Sequence, residues 1–164
     1  MAVDPQEFRS VMGSFATGVT VITAAAGDEL QGMTANAVAS LSLDPLLMLI
    51  CIDRTSHTHR VLQAGGAFAV NVLGAHQEDV SRLFAKKAEP ERGSLRGQPF
   101  RLGKAGAPVL EDALAYVECR IVETHSGGDH TIFIGEVVDV GVAEDVEPLL
   151  FYRAQYRTLS SDRT

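Results

Sequence analysis

The sequence contains no tryptophan and only two cysteines in its 164 residues. Cys51 and Cys119 lie far apart and no C-x-x-C motif is present, so a disulfide framework is not expected. Both cysteines fall in apolar stretches, which predicts two buried, reduced thiols of a cytoplasmic protein. The opening residues "MAVDPQEF" lack a basic segment followed by an apolar one, so we expect no signal peptide.

Long apolar runs and excess positive charge are also missing. The longest unbroken apolar run covers residues 46–52, whereas a membrane-spanning helix needs about 20 such residues. The formal net charge is −7, which repels a phosphate backbone. We therefore expect neither a membrane nor a nucleic acid as a partner, although a local basic pocket can still hold one small anion.

Several catalytic motifs are absent. The chain has no G-x-G-x-x-G, and "GKAGAP" lacks the spacing and the hydroxyl residue of a P-loop. It has neither H-E-x-x-H nor G-x-S-x-G. The usual dinucleotide-fold, phosphotransferase and hydrolase interpretations therefore have no direct support.

Apolar periodicity and turn residues predict a chain that is mainly β. The start "DPQE" and the apolar spacing after it predict a helix over residues 5–15. Two further short helices are predicted, over residues 56–64 and within "HQEDVSRLFA". The run "LLMLICID" is continuously apolar and predicts a strand buried on both faces. Residues 86–107 are polar and rich in Gly and Pro, which indicates a long loop of functional interest.

The other strands alternate and are joined by turns. The segments "TGVTVITAA" and "AFAVNVL" are rich in β-branched residues, and a further extended piece runs through Met33. Two alternating segments flank Gly127-Gly128-Asp129 and predict a β-hairpin. Without a βαβ rhythm, a single domain over residues 1–164 with a closed or partly closed antiparallel barrel fits best.

The stretch "DRTSHTHR", residues 53–60, holds two histidines that invite a metal-site interpretation. Residues two apart share a face of a strand but diverge on a helix, and this stretch predicts a helix start. No third ligand is evident, while a zinc site needs three or four. We therefore expect His57 and His59 not to bind a metal.

Two interpretations of the same stretch remain open. Ser56 and Thr58 stand where a helix N-terminus exposes free N–H groups, and with Arg54 they could form a phosphate cradle. The alternative is ordinary helix capping by Thr55 or Ser56.

Three further segments are candidates for ligand binding. "GMTANAVASLS" has small polar residues that let a flat ligand approach the backbone, or it packs against a partner element. His130, after the predicted hairpin turn, could donate a hydrogen bond, or it is merely solvated. Tyr152, Arg153 and Tyr156 could clamp a ligand, or they belong to a terminal strand that seals the barrel.

Taken together, the segments resemble one known family. In order along the chain they are "FATGVTVIT", "GMTANAVASLSLDP", "CIDRTSHT", "FAVNVL", "LFA", "GDHTIFIGEV" and "FYRAQYR". The chain resembles the short-chain NAD(P)H:flavin oxidoreductases, the reductase components of two-component flavin-dependent monooxygenases. The resemblance implies the FMN-binding split-barrel fold, an antiparallel Greek-key β-barrel with short flanking helices.

The resemblance also implies roles for particular residues. His130 would lie beside the nicotinamide as the catalytic residue, and Tyr152 and Arg153 would reach the cofactors. The remaining implied flavin contacts form three groups: Gly32, Met33, Thr34, Ala35, Asn36, Ala37 and Ser40 around the ring and ribityl chain; Cys51, Ile52 and Asp53 beside them; and Ser56, His57, Thr58 and Lys86 at the phosphate.

The implied reaction is direct hydride transfer from a reduced nicotinamide, NADH or NADPH, to FMN or FAD. Reduced flavin would then diffuse to a separate oxygenase component. The resemblance further implies a homodimer in which the second subunit helps to complete the site. Two alternatives remain: a split-barrel flavin-dependent oxidase of a small substrate, and a non-catalytic flavin-binding protein.

Overall fold

The structure, a computed structural model, describes residues 2–159. Its helices are α1 (Pro5–Met12), α2 (His57–Gly65) and α3 (Glu78–Ala85), with a 3₁₀ helix at Ala75–Gln77 before α3. Helix α1 ends three residues earlier than predicted because Gly13 follows it, and the amides of Ser14 and Phe15 donate to carbonyls three residues back. The chain therefore leaves the α-helix through tighter turns.

Antiparallel strands make up most of the remaining structure. In chain order they are β1 (Thr17–Gly18), β2 (Thr20–Ala26), β3 (Glu29–Ala35), β4 (Val38–Leu43), β5 (Leu46–Asp53), β6 (Ala67–Val72), β7 (Glu91–Arg92), β8 (Phe100–Leu102), β9 (Pro108–Leu110), β10 (Ala115–Gly127), β11 (His130–Val142), β12 (Leu150–Tyr152) and β13 (Gln155–Arg157).

The main sheet has eight strands in the order β4-β5-β11-β10-β6-β2-β3-β7. The order departs from that of the chain, since β6 pairs with both β10 and β2. Such long-range antiparallel pairing is typical of Greek-key connections. Smaller sheets are formed by β1-β12-β13 and by β8-β9.

The long hairpin β10–β11 confirms the prediction for the "GGD" segment. Gly127 pairs with His130, so Gly128 and Asp129 form a two-residue turn. Gly128 has φ of 73°, a left-handed conformation that costs glycine little. Because β11 also pairs with β5, the hairpin places His130 directly opposite Asp53.

Strand β5 corrects one prediction, because it is not buried on both faces. Ile50 and Ile52 are fully buried in the core, whereas Leu47, Leu49 and Cys51 on the other face are half-buried. Two buried faces require layers on both sides of the sheet, and in this chain helix α2 contacts β5 with its buried side chains on the core side only. The other face of β5 is left open.

The predicted long loop at residues 86–107 contains short strands and a firm anchor. Strand β7 pairs with β3, and β8 pairs with β9. At the end of the loop the buried Glu118 carboxylate accepts hydrogen bonds from the amides of Ala105 at 2.9 Å and Ala107 at 3.1 Å. Hydrogen bonds to Glu118 therefore anchor the end of this segment to β10.

Two large apolar clusters and a smaller third one, around Ala69, Ala107 and Val109, fill the interior. The first joins α2 to the central strands, and the second joins α3 to β2, β3 and the C-terminal strands. None of the helices in residues 2–159 is both long enough and apolar enough to cross a membrane.

Candidate active site

The N-terminus of α2 is held by its own sequence. Ser56 is the N-cap residue, and its hydroxyl accepts from the amide of His59 at 3.2 Å while donating to the carbonyl of Asp53 at 2.8 Å. Capping by Ser56, one of the two interpretations of this stretch, is therefore real. It satisfies one of the amides of the first turn, and those of His57 and Thr58 precede it at the open end of the helix.

Asp53 is fixed by the residue two positions later. Its Oδ1 accepts from both the amide and the hydroxyl of Thr55, each at 2.7 Å. These hydrogen bonds, with a smaller contribution from the charge of His130, lower the pKa of Asp53. The side chain is therefore a carboxylate at neutral pH, able to accept hydrogen bonds from hydroxyl groups beside it.

An open cleft of about 380 Å³ runs between α2, β3 and the end of α3. We call it the flavin cleft, after the ligand that the sequence predicts. It brings together eight of the predicted flavin contacts: Gly32, Met33, Thr34, Asp53, Ser56, His57, Thr58 and Lys86. Residues that are distant in sequence thus line one cleft, because β3 and the start of α2 flank the same opening.

One side of the flavin cleft is basic. Lys86 and Lys87 follow α3 and line the cleft opposite the first turn of α2. Neither lysine forms a salt bridge with an acidic side chain of residues 2–159. Two unpaired ammonium groups facing a helix N-terminus make this end of the cleft favourable for an anion.

A smaller recess of about 180 Å³ continues from Thr34 to Ala35 and Asn36, two further predicted contacts. The Thr34 hydroxyl donates to the carbonyl of Ser81 at 2.7 Å, so β3 is held against α3. The opposite wall includes Tyr156, whose hydroxyl lies 2.8 Å from that of Ser81. The recess is mainly apolar and lies beside the small residues of β3.

His130 lies next to the flavin cleft rather than in its lining. It is opposite Asp53 across the β5–β11 pair, and its Nδ1 is 2.8 Å from Oδ1 of Asp129. This contact lowers the pKa of Asp129. A carboxylate on Nδ1 leaves Nε2 as the ring atom open to a ligand.

Cys51 shares the open face of β5 with Asp53, since residues two apart in a strand point the same way. Partial burial raises the pKa of the Cys51 thiol, and full burial raises that of Cys119 to about 12. Both thiols are free, as predicted, but Cys51 is only half-buried, because the open face of β5 has no layer over it. Neither is activated as a nucleophile.

The other predicted contacts lie outside both depressions. Ile52 is fully buried in the core, so only its backbone can reach a ligand. Arg153 stacks on Tyr152 and donates its amide to the carbonyl of Gly13, at the end of α1. Ala37 and Ser40 are exposed on and before β4. The cleft and the recess of one chain therefore do not gather the whole predicted set.

The two histidines of "DRTSHTHR" diverge, as helix geometry predicts. His57 Nε2 lies 3.2 Å from Glu89 at the cleft mouth, whereas His59 Nε2 lies 2.8 Å from the Thr131 hydroxyl. Within residues 2–159 no three His, Cys, Asp or Glu side chains are grouped as a metal site would require.

Residues 12–160 match the family described as flavin reductase like domain. The chain belongs to the flavin reductase-like family. The reductase subunit HsaB of a flavin-dependent monooxygenase from Mycobacterium tuberculosis (strain CDC 1551 / Oshkosh) is 40% identical over 164 residues, which cover 99% of this chain and 86% of that protein.

Two further members of the flavin reductase-like family are similar over almost the whole length. An NADH-dependent FAD reductase from Streptomyces globisporus is 41% identical over 165 residues, covering 98% of this chain and 90% of that protein. The Streptomyces globisporus NADH:FAD oxidoreductase SgcE6, solved in complex with NAD and FAD fragments, has a TM-score of 0.88 at 39% identity, covering 100% and 99% of the two chains. The predicted family and the mainly β, split-barrel fold are confirmed.

Several lining residues of this flavin reductase-like chain were not predicted from the sequence patterns. Thr55 and Lys87 adjoin predicted residues, and the doubled lysine after α3 was a usable signal. Gln31, Phe84, Ala85 and Ala88 join them in the flavin cleft. Phe84 lies in the segment "LFA", but no pattern indicated that it lines the cleft, because its approach to Gly32 is a tertiary contact: a Cβ on Gly32 would lie 2.5 Å from the Phe84 ring.

Proposed function

We propose that this chain is an NAD(P)H-dependent flavin reductase that reduces FMN or FAD and supplies reduced flavin to a separate monooxygenase component. The observation that carries the proposal is the flavin cleft, in which a basic, amide-rich end adjoins a small-residue strand, in a chain of the flavin reductase-like family. The named relatives include a monooxygenase reductase subunit and an NADH-dependent FAD reductase.

The donors and acceptors of the flavin cleft fit the parts of a flavin nucleotide. The amides at the start of α2, the Thr58 side chain and the two lysines suit a phosphate. The Asp53 carboxylate, held by Thr55, suits the hydroxyl groups of a ribityl chain. Met33, Phe84 and Ala85 provide apolar surface of the kind that a flat ring needs.

The residue roles follow this division. The small residues of β3 and the turn after it border the ring system, and their backbone amides offer hydrogen bonds to charge that develops on it. Ser56 acts indirectly, since its hydroxyl is occupied in the cap and it keeps the amides of His57 and Thr58 in place. Lys86 and Lys87 add positive charge at the phosphate.

A bound flavin would supply the chemistry, accepting a hydride from the reduced nicotinamide. The chain itself orients the two ligands and disfavours unreactive arrangements of their rings. This positioning lowers the barrier to hydride transfer without a covalent nucleophile. His130 lies beside Asp53 and would position the nicotinamide through Nε2, with Asp129 on the opposite ring nitrogen. Tyr152 and Arg153 would contact ligands across a subunit boundary.

A homodimer completes the proposal. Cys51, one of the predicted contacts outside the cleft, is on the open face of β5, and the exposed Ser40 lies on the edge strand β4. Helix α1 has no buried residue, and its apolar side chains are exposed. A second copy covering these surfaces would bring both sets together at the site. The cytoplasmic location stays a prediction.

The test is a steady-state assay of purified protein with NADH or NADPH and with FMN, FAD or riboflavin. We expect nicotinamide oxidation that depends on both protein and flavin. Flavin binding without nicotinamide oxidation would favour a storage protein, and oxidation of a small amine or aldehyde instead of a nicotinamide would favour a flavin-dependent oxidase.

His130→Ala tests the assigned positioning of the nicotinamide. We expect a higher KM for the nicotinamide and a lower kcat, together about tenfold in kcat/KM, with an unchanged dissociation constant for FMN. Titrating FMN fluorescence against both proteins separates the two effects. Parent values for both KM and kcat would show that His130 has no such role.

A further inference from the structure

A second polar recess, of about 350 Å³, is lined in part by the turn before α2. We call it the Arg54 recess. It is lined from the α2 side by Arg54, His59 and Gln63, and from the β10–β11 hairpin by Thr124, Ser126 and Thr131. It shares no lining residue with the flavin cleft, yet Arg54 lies between Asp53 and Thr55, which both line that cleft. The two depressions are therefore separated by a single turn of chain.

Arg54 itself points away from the flavin cleft, which corrects its expected place in a cradle with Ser56 and Thr58. Its Nη2 donates to the Ser126 hydroxyl at 2.6 Å, on the hairpin. Within residues 2–159 it forms no salt bridge with an acidic side chain. A guanidinium group has five N–H donors, so most of its hydrogen-bonding capacity remains for a ligand.

The surroundings of Arg54 suit a phosphorylated sugar and base rather than a bare ion. Hydroxyl groups of Thr124, Ser126 and Thr131 and the amide of Gln63 offer both donors and acceptors. Glu123, which precedes this part of the lining in the chain, is engaged at 3.0 Å with His125, the remaining lining residue, and no acidic side chain of residues 2–159 lines the recess. The positive charge of Arg54 is thus not cancelled inside the recess.

His59 provides a rigid and uncharged wall. Its ring meets Phe133 edge-on, with 5.4 Å between centroids, and its Nε2 contacts Thr131. Burial, with the charge of Arg54, lowers the pKa of His59. A neutral flat ring, fixed on two sides, offers surface to an aromatic base, while Arg54 takes the phosphate.

We propose that the Arg54 recess binds the adenylate moiety of a dinucleotide substrate, either FAD or the reduced nicotinamide nucleotide. Both molecules carry an adenosine phosphate joined to a second phosphate. Such a diphosphate would cross the turn at residues 53–56 and link the two depressions. FMN and riboflavin lack this moiety. The inference rests on the proposed reductase function and extends it to a second subsite.

The experiment compares Arg54→Ala with the parent in three arms. FAD is varied at saturating NADH, FMN is varied at saturating NADH, and NADH is varied with FMN as acceptor. Loss of one charge-assisted hydrogen bond predicts that the KM ratio of FAD to FMN, or the KM of NADH, rises about tenfold. The first result assigns the recess to FAD and the second to the nicotinamide nucleotide, and either one supports the proposal.

Two variants control for structural effects. Arg60→Ala removes the same charge from α2, shortly after the turn that holds Arg54. Arg60 pairs with Glu29 outside both depressions, so this variant should leave the ratio at the parent value. Ser126→Ala breaks the tether between Arg54 and the hairpin but keeps the guanidinium group. If Arg54 only tethers the hairpin, Ser126→Ala should change the KM values of all three arms as much as Arg54→Ala does. That result would overturn the proposal.

Adenosine 5′-monophosphate gives an independent arm. We expect it to compete with the dinucleotide assigned above in the parent, and to compete about tenfold less well in Arg54→Ala. Equal inhibition of both proteins, or unchanged KM values in every arm, would overturn the proposal. Absence of NADH oxidation with FMN in the parent would instead refute the reductase function itself.

Discussion

At the scale of single residues, the surroundings rather than the sequence position decide what a side chain does. His57 and His59 are two residues apart, yet one lies at a cleft mouth beside Glu89 and the other packs on Phe133. Cys51 and Cys119 both lie in apolar strands, but only Cys119 is buried deeply enough for its pKa to reach about 12. The side chains that stand out in the sequence are therefore not automatically those that matter at the site.

The half-buried environment of His59 predicts a pH dependence of stability. Desolvation, with the charge of Arg54, lowers its pKa from the usual 6.5, whereas in the unfolded chain the ring protonates at its ordinary value. Folding thus opposes protonation of the His59 ring. Its contribution to the free energy of unfolding is complete above pH 6.5 and is lost as the pH falls through the lowered pKa. His59→Gln should reduce the loss in urea midpoint between about pH 7.5 and about pH 5.5.

The matched control for this change is His76→Gln, an exposed histidine in the 3₁₀ helix. We expect its urea midpoint to shift with pH as in the parent. A His59→Gln protein that loses as much stability as the parent at acid pH would contradict the role given to this ring.

At the scale of elements, the start of α2 is the feature on which the site depends. A short segment after β5 caps the helix through Ser56, positions the Asp53 carboxylate through Thr55 and directs Arg54 to the other side. Facing it, the end of α3 supplies two lysines. Three different contacts of a nucleotide can therefore be served by one turn and one helix end.

Removing hydroxyl groups from this helix start should separate capping from binding. Ser56→Ala should lower the free energy of unfolding by about 1 kcal/mol, the usual effect of losing a helix cap. Combined with Thr58→Ala, it should weaken FMN binding about tenfold, the effect of losing a hydrogen bond to a charged group. Riboflavin, which lacks the phosphate, should bind almost as in the parent.

The comparison protein for that measurement carries His57→Ala and His59→Ala together. We expect its FMN dissociation constant, from fluorescence titration, to stay closer to the parent value than that of the hydroxyl double variant. A larger increase of the FMN dissociation constant in the histidine double variant would implicate the histidines in binding and contradict the cradle at the helix start.

Local sequence patterns predicted most elements but not the way they pack. The β10–β11 hairpin and the Ser56 helix start were predictable, because a tight turn and a capping residue are fixed by a few adjacent residues. The open face of β5 was not, since apolar content alone does not reveal whether a second layer exists. The direction of Arg54 depends on Ser126, far along the chain, and no local pattern encodes it.

At the scale of the whole molecule, the surface of one chain is unusually apolar around α1. Phe8, Val11, Met12 and Phe15 are between 49% and 69% exposed, although their spacing is that of a helix that packs against something. Isolated apolar side chains are common on surfaces, but a contiguous group of this kind marks an interface. A second copy of the chain is the proposed occupant.

Polar substitutions on this helix test the homodimer. Phe8→Ser combined with Phe15→Ser should shift the mass measured by light scattering from two chains towards one, because the apolar area that drives association is removed. Leu102→Ser, at a residue 60% exposed on β8, is the matched control and should leave the mass unchanged. A parent protein that is a monomer at all concentrations would contradict the arrangement.

The central claim is that this chain passes a hydride from a reduced nicotinamide to a flavin. The most direct measurement mixes catalytic amounts of protein anaerobically with NADH and FMN and follows the near-ultraviolet band of NADH and the visible band of the flavin together. We predict that NADH and oxidised flavin, measured from these two bands, disappear at the same rate and in equal molar amounts, far faster than without protein. Loss of neither band above the protein-free rate, or loss of the NADH band alone, would contradict it.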